Sequence, residues 1–116
     1  MARHVLVALT NPADGREDEY NDWYDNTHLK DVLDVPGFVS AQRFRLSAAQ
    51  RMQSPPYKYL AIYEIETDDI HATIGALCER SGTMLLPISD ALHEKRDAPV
   101  YEPLTPVITR ARREPA

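Results

Sequence analysis

The sequence predicts one α+β domain in which strands and helices follow the order β-α-β-β-α-β. The 116 residues suffice for a single core, since domains typically hold about 100–150 residues. Hydrophobic residues make up 43% and charged residues 27% of the chain, which is typical of a folded globular domain. Short runs of aliphatic and aromatic residues alternate with two longer, more polar segments, and this alternation indicates strands separated by helices.

The first half of the chain holds a strand, a helix and a second strand. Residues 4–10 are rich in Val and Leu, which predicts a buried strand. A helix is expected over 17–33, because acidic residues crowd its first turns, where the helix dipole favours negative charge. Pro36 and Gly37 end it. Residues 38–46 are predicted as the second strand, although their alternation of apolar and polar residues is imperfect.

The second half repeats this order after a loop. Residues 57–66 combine aromatic and β-branched residues and form the strongest predicted strand. Thr67 is the expected N-cap of a helix over 68–80. Residues 84–97 are ambiguous between a short helical turn and a loop. A last strand is expected over 99–104, and its prolines place it at a sheet edge or at an exchange with another chain.

This order within about 100 residues predicts a ferredoxin-like domain, a four-stranded antiparallel sheet with two helices on one face. The third strand is apolar on both sides, with Leu60 and Ile62 opposite a side that holds three tyrosines. A sheet with two apolar faces needs a second cover, and a second copy of the chain would supply it. We therefore expect a homodimer, one domain over 1–106, and a basic tail over 107–116 that is flexible or contacts the dimer partner.

Composition and motifs exclude several function classes. The net charge of −5 argues against a nucleic-acid partner. The chain has no apolar run of about 20 residues and no signal-peptide core, so we expect a cytoplasmic protein that does not bind membranes. A lone Cys78, expected in the core, and scattered histidines predict no metal site. Phosphate-loop, serine-nucleophile and zinc motifs are missing, so we expect no cofactor and either proton transfer on, or binding of, a small molecule.

The predicted first helix carries too many polar and aromatic groups for a helix that only packs. At about 100° per residue, one broad face of it collects six such side chains. Polar groups held against a sheet must find partners or line a cavity. We therefore expect a pocket between this helix and the sheet, with the following substrate-binding candidates beside His28: Tyr20, Trp23, Tyr24, Thr27 and Asp31.

His28 is the predicted general acid or base, because an imidazole with a pKa of about 6.5 exchanges protons near neutrality and Asp31 lies one turn on. The alternative is a histidine that only packs or caps. Tyr59 and Tyr63 share one side of their strand and project either into the pocket or into a dimer interface. Arg43 could fix a carboxylate or polarise an enolate, or else form an exposed or intersubunit ion pair.

Three segments resemble the EthD-like branch of the dimeric α/β-barrel superfamily, whose pattern is a helix with Trp-Tyr and a downstream His, then Pro-Gly-Phe entering a strand with an Arg. They are Glu19–His28, Val35-Pro36-Gly37-Phe38 and Gln42-Arg43-Phe44. The resemblance spans roughly residues 4–105. It implies two ferredoxin-like sheets packed face to face in a dimer, with a pocket in each protomer. It matches Trp23 and Tyr24 to the aromatic pair, His28 to the helix histidine and Arg43 to the strand arginine.

The superfamily includes muconolactone-type isomerases, cofactor-free monooxygenases of polyketide quinone formation, and polyketide cyclases. The resemblance thus implies a cofactor-independent isomerase, lyase or cyclase acting on an aromatic, lactone or polyketide-like compound. His28, Tyr63 and Arg43 would be its catalytic residues, and Tyr59 would help to bind substrate. A cofactor-free monooxygenase and a non-catalytic ligand-binding protein are the alternatives. The haem-degrading members use an Asn, Trp and His set that cannot be placed on this chain, so haem is not expected.

Overall fold

The computed structural model describes residues 1–111, and within them the chain forms one four-stranded antiparallel sheet. From one edge of the sheet to the other lie the strands that begin at Phe38, Tyr59, Ala2 and Val100. The predicted ferredoxin-like α+β fold is therefore confirmed. The strands and helices are β1 (Ala2–Thr10), α1 (Glu17–Trp23), a π-helical turn (Tyr24–His28), α2 (Leu29–Leu33), β2 (Phe38–Arg45), β3 (Tyr59–Thr67), α3 (Ile70–Arg80) and β4 (Val100–Tyr101).

One face of the sheet holds most of the core. Even-numbered residues of β1 from His4 to Thr10 are buried there, and so are odd-numbered residues of β3 from Tyr59 to Ile65. The helices cover this face, and they contribute Tyr20, Tyr24 and Val32 to the same cluster. The period of two along both strands means that every second side chain meets the helices.

A β-bulge in β2 explains why the alternation in this strand is imperfect. Phe38 pairs with Ile65, but the register shifts before Ser40, which pairs with Glu64. An extra residue in one strand moves every later side chain to the other face. Phe38 is therefore buried under the helices, while Arg43 also faces them, opposite Ala61 of β3.

The start of α3 differs from the prediction. Asp69, not Thr67, is the N-cap, since its carboxylate accepts a hydrogen bond from the Ala72 amide at 3.1 Å. Thr67 lies two residues too early for this bond. Its hydroxyl instead accepts hydrogen bonds from the Asp69 amide at 3.1 Å and the Thr73 hydroxyl at 2.8 Å. The prediction of Thr67 as N-cap is therefore wrong, although the hydroxyl does stabilise the turn before the helix.

Gly37 ends the turn between α2 and β2 in a conformation that other residues rarely adopt. Its φ is +100°, and a Cβ atom there would lie 3.1 Å from Cγ2 of Thr73 on α3. Its carbonyl accepts a hydrogen bond from the Glu66 amide at 2.8 Å. Backbone conformation and close packing thus both require glycine at this position.

The remaining chain is mostly irregular. Residues 84–97 form turns and loops, and the last strand shortens to Val100–Tyr101, which pairs only with β1 as an edge strand. Residues 107–111 of the predicted tail are exposed and irregular, and 112–116 lie outside the described residues.

Cys78 is exposed on α3, so its prediction as a core residue is wrong. Within residues 1–111, no helix is both long and apolar enough to cross a bilayer.

The face of the sheet opposite the helices is largely apolar. Aliphatic and aromatic side chains from three strands share it: Val5, Val7, Leu9, Phe44, Leu60 and Ile62. Phe44 is 41% exposed, and the others are half-buried. The open face is therefore apolar at these six positions, whereas Arg3, Ser40, Gln42 and Glu64 make it polar elsewhere.

Candidate active site

The first helix contains a π-helical turn at the residues expected to carry the chemistry. The turn spans Tyr24–His28 between the α-helical stretches. In an α-helix, residues four apart drift by about 40° around the axis, because 3.6 residues complete a turn. The wider π-helical turn offsets that drift. Tyr20, Tyr24, His28 and Val32 therefore stay on the side of the helix that faces the sheet, as the burial of the two tyrosines and Val32 shows.

A cavity of about 150 Å³ lies between this helix, the sheet and the segment after α3. Most of its wall is aliphatic. Polar side chains reach it from the helix, from the sheet and from the rim. The residues that line it are Leu6, Ala8, Thr10, Tyr24, His28, Val32, Tyr63, Leu77, Ser81, Leu86, Ile88, Leu92, Arg96, Asp97 and Ala98.

His28 presents a neutral imidazole to this cavity. Its Nδ1 atom is buried and has no hydrogen-bond partner within residues 1–111. Burial, together with smaller contributions from the charges of Arg96 and Arg43, lowers the pKa of His28 from its ordinary 6.5 to about 4. The ring stacks on Trp23 with centroids 4.4 Å apart and meets Tyr24 edge-on at 4.9 Å. His28 is therefore uncharged at neutral pH, with a nitrogen free to bind a ligand.

Tyr63 brings a second free polar group to the cavity from β3. Its side chain is 1% exposed, and its hydroxyl, which lies close to the Tyr24 side chain, is buried without a hydrogen bond of normal geometry to residues 1–111. Burial raises the pKa of Tyr63 well above its ordinary value, and the neighbouring Tyr24 adds to this rise. The phenol therefore keeps its proton and can donate it in a hydrogen bond. An unpaired buried hydroxyl costs about 1–3 kcal/mol, which a ligand oxygen would recover.

Arg43 lies in a separate cluster on the other side of Tyr24. Its guanidinium contacts the Asp25 carboxylate at 2.6 Å and the Asn21 side-chain oxygen at 2.9 Å. It also lies over the aromatic rings of the cluster, at 4.4 Å from the Tyr24 centroid, 5.1 Å from Tyr59 and 5.3 Å from Tyr20. Such stacking adds cation–π attraction to the ion pair. Arg43 does not line the cavity of His28, and it touches that cavity only through Tyr24.

The other predicted binding residues are distributed around these two places. The Tyr20 hydroxyl bonds Thr10 at 2.5 Å, and the Tyr59 hydroxyl bonds Glu17. Trp23 touches His28 but does not line the cavity. Thr27 and Asp31 are half-buried on the helix outside the cavity lining. Of the nine predicted site residues, the cavity brings together Tyr24, His28 and Tyr63.

Residues of the long loop complete the cavity, and sequence reasoning missed them. Leu86, Ile88, Leu92 and Arg96 all line it, and Leu86 is 1% exposed. In the sequence, the spacing of the three apolar residues Leu86, Ile88 and Leu92 was the one feature that could have indicated a buried segment here. Within the described part of the chain, no three His, Cys, Asp or Glu side chains come together as metal ligands.

Solved structures share this fold across nearly the whole chain. No family model and no curated protein matches the sequence. A protein from Shewanella loihica PV-4 to which monooxygenase activity has been ascribed is 11% identical, with a TM-score of 0.59 over 90% of this chain and 97% of its own. A mutant of MhuD with two manganese protoporphyrin IX groups in each active site is 16% identical, with a TM-score of 0.60 over 91% of this chain and 99% of its own.

A third solved structure is that of an EthD family protein, and the sequence motifs resemble that family. An ethyl tert-butyl ether degradation (EthD) family protein from Bacillus halodurans C-125 is 14% identical, with a TM-score of 0.52 over 90% of this chain and all of its own. At these identities the likeness concerns the fold. The chain therefore has a ferredoxin-like fold, and it shares that fold with an EthD family protein.

Proposed function

We propose that this protein is a small enzyme that moves a proton on a single-ring substrate, with His28 as acid or base and Tyr63 as hydrogen-bond donor to a substrate oxygen. The observation that carries the proposal is the pair of buried, unpaired polar atoms, Nδ1 of His28 and the hydroxyl of Tyr63, on the walls of one mostly aliphatic cavity. Buried polar groups are almost always paired, so two free ones beside one cavity support the binding of a polar molecule between them.

The size of the cavity limits the substrate. A dry apolar cavity of about 150 Å³ in another protein binds benzene, and the cavity here has about 150 Å³. One six-membered ring or a lactone of that size fits inside, with larger groups at the mouth. This supports a monocyclic aromatic or lactone substrate over the larger polyketide-like compounds.

The two groups suit an enolisable substrate. The neutral imidazole of His28 takes a proton from the carbon beside a carbonyl group, and the carbon–hydrogen electron pair becomes the enolate. The Tyr63 hydroxyl donates a hydrogen bond to the enolate oxygen, which gains negative charge in this step. That charge raises the pKa of the imidazolium above its value in the empty cavity. In a substrate with a double bond between the β and γ carbons, the imidazolium then returns the proton to the γ carbon. The enolate electrons re-form the carbonyl group and the double bond shifts to the α and β carbons, which completes an isomerisation.

Arg43 supports the site through Tyr24 in this proposal. The guanidinium holds the Tyr24 ring from one side, while the other side of the ring borders the cavity. Asp25 and Asn21 fix the guanidinium in turn. Tyr20 and Tyr59 complete the aromatic cluster, so they act as supports of the site.

A cofactor-free monooxygenase is the second candidate, favoured by the activity ascribed to the Shewanella loihica protein of the same fold. The same base would form the substrate anion, and molecular oxygen would then react with it. The porphyrin groups of the MhuD structure do not suit this chain, because a macrocycle is several times larger than the cavity of about 150 Å³. Oxygen uptake during turnover distinguishes an oxygenase from an isomerase.

We also propose that two copies of the chain pack through the open face of the sheet. Six apolar side chains of β1, β2 and β3 line that face, and the helices cover only the other one. An apolar patch of this kind on a soluble chain marks an interaction surface. A cytoplasmic location stays a prediction from the sequence.

Hydrogen–deuterium exchange tests the proposed chemistry without knowledge of the true substrate. Single-ring ketones and lactones are incubated in D₂O with the protein, and the loss of proton signals beside the carbonyl is followed by NMR. We expect the wild-type protein to accelerate exchange for ligands that bind, and His28→Asn to abolish the acceleration. Tyr63→Phe should slow exchange about 10–100-fold. Equal exchange rates with wild-type protein and His28→Asn would refute the acid–base role.

A further inference from the structure

The exposed part of the cavity lining includes the segment that leads to β4, and we call these exposed residues the mouth. Ser81, Arg96, Asp97 and Ala98 line the cavity and are exposed, whereas the wall formed by Leu6, Tyr24 and Tyr63 is buried. The mouth therefore carries two charged groups, one of each sign.

The two charged side chains at the mouth, Asp97 and Arg96, differ in their partners within the protein. Asp97 accepts a hydrogen bond from the Tyr57 hydroxyl at 2.8 Å, and its backbone pairs with Leu9 of β1. Arg96 has no carboxylate within ion-pair distance among residues 1–111, although Arg43 deeper in the protein is paired with Asp25. The guanidinium of Arg96 is thus a free cation at the entrance of an apolar cavity.

The charge of Arg96 acts inside the cavity. After burial, which is the larger cause, it contributes to lowering the pKa of His28, and His28 and Arg96 both line the cavity. The charges that shift His28 are both guanidinium groups, those of Arg96 and Arg43. Both charges that influence His28 are thus positive, although the chain as a whole carries a net charge of −5. An exposed guanidinium on the cavity lining favours an anionic group beside it, at the mouth.

We infer that Arg96 is a specificity residue that binds a carboxylate of the substrate at the cavity mouth, so that the site takes single-ring carboxylic acids. This inference rests on the proposed function, because it places the substrate ring in the cavity of His28 and Tyr63. The ring fills the apolar interior, its oxygen reaches His28 and Tyr63, and its carboxylate stays at the exposed mouth. Guanidinium suits this role, since its fixed fork of donors matches the two oxygens of a carboxylate.

The position of the carboxylate follows from desolvation. An anion in the apolar interior would lose its hydration without enough partners to replace it. At the mouth, the anion keeps part of its water and gains Arg96. The same arrangement leaves the interior for the uncharged ring, which recovers about 25 cal/mol for each Å² of apolar surface removed from water.

The test compares two ligands that differ only in charge, 4-hydroxybenzoate and 4-hydroxybenzamide. Their dissociation constants are measured by calorimetry at low and at moderate salt. We expect the wild-type protein to bind the acid about fivefold more tightly than the amide at low salt, in line with about 1 kcal/mol for a partly exposed ion pair. Arg96→Gln should remove this preference and leave the affinity for the amide unchanged. The matched control Lys95→Gln, an exposed neighbour outside the cavity lining, should keep it.

Each other outcome overturns a defined part of the account. If both ligands bind wild-type protein equally, or if Arg96→Gln keeps the preference, the inference about Arg96 fails while the cavity site stands. If neither ligand binds, the proposed function fails together with the inference. If Lys95→Gln loses the preference as well, the effect belongs to the general surface charge and Arg96 has no special role.

Discussion

The imidazole of His28 stacks on the indole of Trp23, with ring centroids 4.4 Å apart and ring planes at 28°. Trp23 is held in turn by a hydrogen bond from its Nε1 to the Pro87 carbonyl oxygen at 3.3 Å. Tyr24 meets the same imidazole edge-on. The rings of Trp23 and Tyr24, which are neighbours in the sequence, thus fix the orientation of the His28 imidazole towards the cavity. They also cover part of the imidazole from water.

The stability of the protein should fall as the pH drops from 6.5 to 4, because His28 resists protonation in the folded state. Its folded pKa of about 4 lies below the ordinary 6.5, so the unfolded chain binds the extra proton within this window. The stabilisation is complete above pH 6.5 and is lost as the pH falls towards 4. The loss from this single group amounts to about 3 kcal/mol.

Urea unfolding at several pH values checks this expectation against His28→Asn, which lacks the titrating group. Carboxylates titrate in both proteins, so the difference between them isolates His28. A difference in unfolding free energy that stays constant from pH 7 to pH 4 would contradict the burial of a neutral imidazole. An NMR titration of the imidazole should place its midpoint near 4.

Gly37→Ala should destabilise the fold. The φ of +100° strains any residue with a side chain, and the new Cβ atom would crowd Thr73 Cγ2 at 3.1 Å. We expect a loss of about 1–3 kcal/mol in the free energy of unfolding. The control is Gly75→Ala, inside α3 with no atom within 4 Å of its Cβ position. That change should stabilise the protein by about 0.5–1 kcal/mol, and equal effects at both positions would refute the argument.

Arg43→Lys should cost stability even though it keeps the charge. A lysine can contact Asp25, but it cannot also bond Asn21 and stack flat on the Tyr24 ring, as the guanidinium does. The expected loss is about 1–3 kcal/mol in denaturant unfolding. Arg45→Lys on the same strand, at an exposed position, should change little. Similar losses for the two variants would mean that the aromatic cluster around Arg43 contributes nothing specific.

Ile62→Glu should separate the proposed dimer into monomers. Ile62 lies at the centre of the open face, paired with Val7 on one side and Gln42 on the other. A carboxylate there would be buried without a partner in a face-to-face dimer. Sedimentation should report a dimer for the wild-type protein and for Leu85→Glu, a change at a 62% exposed position away from the sheet. A wild-type monomer, or a dimeric Ile62→Glu, would exclude this interface.

The strand and helix periods were sufficient to predict the fold and which residues share one side of a strand or helix. The alternation in β3 placed Tyr59 and Tyr63 on one side, and both face the helices. The sequence could not show the π-helical turn at Tyr24–His28 or the bulge after Phe38, because both change the register by a single residue and leave composition unaltered.

The residues that line the cavity were harder to predict than the fold. Arg43 and Tyr63 lie on neighbouring strands and face the same helix, yet Tyr24 fills the space between the arginine and the cavity. Arg96 comes from a loop without periodicity, and only tertiary packing brings that loop to His28. Spacing predicts which face a side chain occupies, whereas the size of its neighbours decides what it can touch.

The central claim, that His28 and Tyr63 bind a ring oxygen inside the cavity, is tested most directly by the affinities of 4-fluorophenol and fluorobenzene measured by fluorine NMR. Each hydrogen bond is worth about 1 kcal/mol, so with two such bonds the wild-type protein should favour the phenol by about 30-fold. The preference should shrink in Tyr63→Phe and in His28→Leu. Equal affinity of the two ligands for the wild-type protein, or an unchanged preference in both variants, would contradict the account.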